Sequence, residues 1–169
     1  MLYTILILAV VIGIGAAIIF NLPSFGKTPS GERLARIQQS PNYREGKFQN
    51  LEPTPQFTSD DNILKTAYHY FFPDVQDLNP STPIPAIQTD LQSLPNNAMV
   101  WLGHSSYLLN VNNTRVLVDP VFHSASPFSF MVKPFKATYN YSSADMPDTI
   151  EVLILTHDRW DHLDYTAMK

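Results

Sequence analysis

The chain has 169 residues, 44% of them hydrophobic, which suits one modest globular domain better than a disordered segment. A formal charge of −4 with no basic stripe argues against nucleic acid as a partner. With no cysteine there are no disulfides and no thiolate ligands, so His, Asp or Glu would have to hold any metal.

Much of the apolar content lies at the N-terminus. Met1 to Phe20 carries no charge, and a helix of that length spans about 30 Å, the hydrocarbon thickness of a bilayer. Residues 1–22 therefore read as a transmembrane anchor. A cleaved signal peptide is the rival, opposed by the missing basic n-region and the lack of an A-x-A site before Asn21-Leu22-Pro23. Lys27, Arg33, Arg36, Arg44 and Lys47 follow the helix and nothing basic precedes it, which favours a cytoplasmic C-terminal side over export.

Residues 23–59 form a proline-punctuated linker or arm, with a short helix expected from Glu32 to Gln39 opened by Ser30. Residues 60–169 form the domain proper, of α+β class. In Asp60 to Phe72, Ile63, Leu64, Ala67, Tyr70 and Phe71 fall at helical spacing, with Ser59 or Asp60 as N-cap and Pro73 as the stop. The aromatic run Tyr68, Tyr70, Phe71, Phe72 reads as core packing and His69 as structural. After a proline-rich connection, Ala98–Leu102 is a strand. Ser106–Val111 and Arg115–Asp119 make a hairpin across Asn112-Asn113, residues that tolerate positive φ. Pro120 to Pro147 is a long loop rich in Pro, Phe, Ser and Tyr, of the kind that forms lids or binding loops.

A buried strand, Val152 to Leu155, then stops at Thr156-His157-Asp158-Arg159-Trp160-Asp161-His162-Leu163-Asp164. His157 can point into a pocket at the strand end, with Asp161 and His162, at the start of a helix, approaching from the other side. Imidazoles with a carboxylate suit zinc or a similar first-row metal, which makes bound water a nucleophile near neutral pH. The same residues also occur as plain hydrogen-bonded turn residues, and spacing alone leaves both readings open.

This stretch resembles the H-x-H-x-D-H motif of the metallo-β-lactamase superfamily. Upstream, Arg44-Glu45-Gly46-Lys47-Phe48-Gln49-Asn50 with Pro53-Thr54, Trp101-Leu102-Gly103-His104-Ser105-Ser106 and Val118-Asp119-Pro120-Val121-Phe122 are similar to its branch containing N-acyl-phosphatidylethanolamine-hydrolysing phospholipase D and bacterial relatives. The resemblance covers residues 43 to 167 and implies the first half of a four-layer αβ/βα sandwich with a zinc site of one or two ions. It implies that His157 ligates one metal and that Asp161 and His162 ligate the second, Asp161 also positioning the catalytic water. Asp119 would orient a ligand histidine from behind. His104 would support the site, and a histidine simply hydrogen-bonded at a strand end is the other reading of it. The implied activity is metal-dependent hydrolysis of phosphodiesters in lipid-like substrates, with the anchor and the loop aromatics Phe122, Phe128, Phe130, Phe135, Tyr139 and Tyr141 suited to an amphiphile.

The chain departs from the family in two ways. Arg159 stands where the motif has its second histidine, and a guanidinium has no lone pair for a metal. At about 4 Å it would repel a dication by roughly 8 kcal/mol at an effective dielectric of 20, unless it turns out to solvent. The family's remaining ligands belong to a second half that would follow Lys169, so the expectation is a truncated and inactive chain. The alternative expectation is a membrane-tethered remnant without a functional metal site.

Overall fold

The computed structural model describes residues 2–54, 62–76, 78–128 and 130–169. They form two compact units, one built from Met1–Phe25 with Asp77–Lys169 and the other from Gly26–Gln76.

The first unit begins with helix α1 (Leu2–Phe20). Its span Tyr3–Phe20 is the one helix among the described residues long and apolar enough to cross a membrane, and none of that span is buried. Beyond it lies a four-stranded sheet in the order β3 (Ala98–Gly103), β4 (Ser106–Val111), β5 (Thr114–Val118), β6 (Val152–Ile154); β1 and β2 belong to the second unit. The first three strands are antiparallel, and β6 runs parallel to β5. The β4–β5 turn uses Asn112 and Asn113 at φ 50° and 60°, closing on the Val111–Thr114 pair. Asparagine accepts this left-handed backbone because its short polar side chain bonds locally.

Period-2 alternation divides the sheet into two faces. Val100, Leu108, Leu117 and Leu153 lie in one cross-strand row. The core gathers on that face, with Leu91, Leu94 and Tyr141 packed on Leu108 and Leu117, and Tyr139, Met146 and Ile150 around them. Burying a leucine such as Leu108 contributes about 1.5–3 kcal/mol. Hydrogen bonds hold the covering loops in place: Tyr141 accepts from the Thr89 amide and donates to the Ile87 carbonyl, and the Arg115 guanidinium donates to the Gln92 and Thr149 carbonyls. The opposite face carries Met99 and Trp101, both more than half exposed.

Two expectations are corrected here. The strand Val152–Leu155 is not buried, because β6 is an edge strand paired only with β5 and its residues remain about two-fifths exposed. The segment after it is a series of turns, with the amides of His162 and Leu163 both donating to the Arg159 carbonyl, and no helix begins at Asp161.

The second unit contains α2 (Gly31–Gln38), the two-residue strands β1 (Tyr43–Arg44) and β2 (Lys47–Phe48), and α3 (Ile63–Phe71). The β1–β2 turn places Glu45 and Gly46 at positive φ. Asn62 caps α3 by accepting from the Lys65 amide at 2.9 Å; the expected caps Ser59 and Asp60 lie outside the described residues. None of the described residues in this unit is buried. The aromatic run expected in a core is therefore exposed, with Tyr70 and Phe71 more than 70% accessible and packed edge to face on each other. Helical periodicity creates an apolar face, but among the described residues of its unit nothing buries that face.

Candidate metal centre

The site forms where β3, β5 and β6 end. At the close of β5 the backbone turns left-handed at Asp119 (φ 42°), burying its carboxylate. Its amide donates to the Ile154 carbonyl and its carbonyl accepts from the Ser106 hydroxyl, which fixes the residue to both flanking strands. The carboxylate then takes the Thr156 amide at 2.8 Å, the Thr156 hydroxyl at 2.6 Å and His162 Nδ1 at 2.7 Å. Burial pushes this carboxyl up, but the bonds from His162 and from Thr156 outweigh it and leave Asp119 below the ordinary carboxylate range.

These bonds assign protons. An ionised carboxylate only accepts, so His162 carries its proton on Nδ1 and keeps a lone pair on Nε2. The one Thr156 hydroxyl proton goes to Asp119, so His157 Nδ1, 3.0 Å from that oxygen, is the donor in their contact and its Nε2 is also left bare.

His162 Nε2 lies 3.7 Å from Asp161 Oδ2, and His104 Nε2 lies 3.5 Å from the same oxygen. These three donor atoms all fall within 4.8 Å of one another. Two imidazoles and a carboxylate suit a first-row divalent cation. Burial raises the Asp161 carboxyl, and its own backbone amide, the Arg159 charge, His162 and His104 together bring it below the usual range. Arg159 faces the other oxygen, with Nε 3.8 Å from Oδ1, and its side chain is 76% exposed. The guanidinium has therefore turned out to solvent instead of occupying the point where the donors meet.

The residues named from sequence are only partly brought together. Asp161, His162 and Asp119 form one connected group, joined by His104. His157 lies beside the group, its exposed ring stacked on His162 at 3.9 Å between centroids, outside the converging set.

Sequence reasoning gave no role to three other groups. Buried Asp164 accepts from the amides of Phe122, His123, Thr166 and Ala167 and from His123 Nδ1, tying the 122–123 loop to the site turn. A carboxylate at the end of the motif was the available signal. Trp160 donates to the Ser24 carbonyl at 2.8 Å and stacks on Phe25, which also meets Phe20 and Phe128. The end of α1 is thus joined to the metal turn, and a cavity of about 240 Å³ lies between them, lined by Leu22, Ser24, His123, Pro127, Trp160 and Tyr165. Thr156, which the sequence marks only as part of the motif, bonds Asp119 through both its amide and its hydroxyl.

Strand ends that direct two imidazoles and a carboxylate to one point define a mixed α/β protein with a metal-type centre. Residues 98–169 match the beta-lactamase superfamily domain, and this match together with the relatives below is consistent with a metallo-β-lactamase superfamily member over this part. An uncharacterised protein of Mycobacterium tuberculosis is 32% identical over 129 residues, covering 75% of this chain and 35% of the relative. An N-acyl-phosphatidylethanolamine-hydrolyzing phospholipase D of Caenorhabditis elegans is 27% identical over 110 residues, 63% of this chain and 31% of the relative. A metal-dependent hydrolase of Lawsonia intracellularis is 34% identical over 68 residues, 40% of this chain and 24% of the relative. The chain spans about a third of the length of the first two relatives.

Proposed function

We propose that this chain supplies the metal-binding strand ends of a membrane-anchored hydrolase acting on phosphodiester bonds in amphiphilic substrates. The observation that carries the reading is the convergence of Asp161 and His162 with Asp119 behind His162. A bound zinc or similar cation supplies Lewis acidity and brings the pKa of water near neutrality. Asp119 holds the His162 tautomer with Nε2 toward the cleft, and Asp161 accepts a proton from, and so orients, the attacking water. His157, with its own bare Nε2, is the donor available for a second ion. Support for an amphiphilic substrate comes from α1, whose end meets Trp160 through Phe25, and from the exposed loop residues Phe130 and Phe135. An aromatic collar at a helix end suits the membrane interface.

The test is metal analysis and hydrolysis of a chromogenic phosphodiester by the full chain in detergent micelles. Asp161→Asn and His162→Ala should each lower bound zinc and reduce hydrolysis by about a hundredfold or more. Zinc binding unaffected by both substitutions overturns the reading. The second reading, a membrane-tethered chain without catalysis, rests on the donor that Arg159 cannot supply. That reading predicts no zinc uptake by the natural sequence and uptake restored in Arg159→His.

A further inference from the structure

We infer that His104 is itself a metal ligand, taking over the donor place that Arg159 cannot fill and completing a three-donor site, His104, Asp161 and His162, for one first-row divalent cation. The inference rests on the metal-site reading above and adds a ligand from a different strand.

The geometry supports it first. Two donors each about 2.1 Å from a tetrahedral cation lie about 3.4 Å apart. His104 Nε2 and His162 Nε2 are 3.5 and 3.7 Å from the shared Asp161 oxygen, close to that separation, and the donor atoms of the three residues lie within 4.8 Å of one another. Three protein donors with one position left open is the arrangement of a catalytic rather than a structural zinc.

The backbone supports it second. β3 is irregular between Trp101 and Gly103, and then Gly103 (φ 120°) and His104 (φ 42°) both turn left-handed. His104 is the first residue of the two-residue β3–β4 turn closed by the Gly103–Ser106 pair, a position where tight hairpin turns take positive φ, and that turn constrains its backbone. Here the constraint is visible: Trp101 Nε1 donates to the His104 carbonyl at 2.8 Å. That bond orients the residue so that its ring meets His162 edge to face, at 5.5 Å between centroids.

Electrostatics supports it third. The Asp161 carboxylate divides its oxygens, Oδ2 to the two imidazoles and Oδ1 to Arg159. The arginine thus lies on the side of the carboxylate turned away from the donors, in solvent, where water screens its repulsion of a cation.

Cobalt(II) titration of the full chain in detergent micelles, followed by visible d–d absorption, tests the assignment. The natural chain should take up cobalt with a tetrahedral spectrum. His104→Ala should weaken the tightest binding by more than about a hundredfold, the upper end of what loss of a supporting partner does, whereas the control His69→Ala should leave it unchanged. X-ray absorption of the zinc-loaded natural chain should count two imidazoles, which guards against a variant that fails to fold. If His104→Ala binds like the natural chain, or if His157→Ala removes an imidazole while His104→Ala does not, the His104 assignment falls and the metal site stands. If the natural chain binds no cobalt, both fall.

Discussion

The segments 98–119 and 62–72 are similarly rich in apolar side chains, and they meet opposite fates. In the first, alternation places Val100, Leu108 and Leu117 in one row with a layer packed over them, and Leu108 is wholly buried. In the second, helical spacing aligns Ile63, Leu64, Tyr70 and Phe71 with every one of them exposed. Apolar spacing specifies a face; burial requires a second surface, and here the sheet receives one from residues 84–94 and 139–150. The buried polar groups follow the same division, since Asp119, Asn110 and Asp164 all belong to the sheet unit.

This contrast can be broken by mutation. Leu108→Ala should cost about 2–5 kcal/mol in denaturant unfolding of the sheet unit, while Phe71→Ala should stay within about 0.5 kcal/mol. Equal effects would mean that α3 has a packing partner. Asp164→Ala comes next, because it leaves the Phe122, His123 and Thr166 amides without their acceptor, and should cost about 1–3 kcal/mol by the same measurement.

The smallest and broadest effect is on acid stability. Burial raises the Asp164 carboxyl, but bonds from His123, Thr166 and Phe122 bring it below its ordinary value, and Asp119 and Asp161 are depressed as well. A depressed folded pKa contributes stability that is fully present above the unfolded value, near about 4, and is lost as pH falls through the folded value. Urea midpoints should therefore hold from pH 7 to 5 and drop below about pH 4. The drop should be shallower in Asp164→Asn, and an equally steep fall in that variant would remove Asp164 from the account.

Much of the sheet was legible in the sequence because its signals are local. Asn112-Asn113 announced a turn that only left-handed residues make, and the apolar run before Thr156 announced a strand. The site was legible as a motif at a strand end, where Asp119 bonds His162 and Asp161 lies beside that ring. What could not be read depends on how distant segments meet. His104, placed by the resemblance only as a support for the site, reaches the Asp161 carboxylate because β3 and β6 end on the same side of the sheet. The bond from Trp160 to Ser24 spans most of the chain, and the Asp164–His123 pair joins two loops whose meeting no period encodes. In place of the expected helix after β6 there is a turn, in which distant Asp119 holds the Thr156 amide and the His162 ring while the His162 and Leu163 amides donate to the Arg159 carbonyl.

Thr156 carries a dynamic consequence of that arrangement. Its amide and hydroxyl lie in an accessible turn, yet both are held by a carboxylate whose own backbone is bonded to β4 and β6. Asp119 cannot move without disturbing the strand ends, because its amide and carbonyl are bonded to β6 and β4. Opening the turn thus breaks two bonds to a carboxylate anchored on the sheet, which couples a loop to the strand ends.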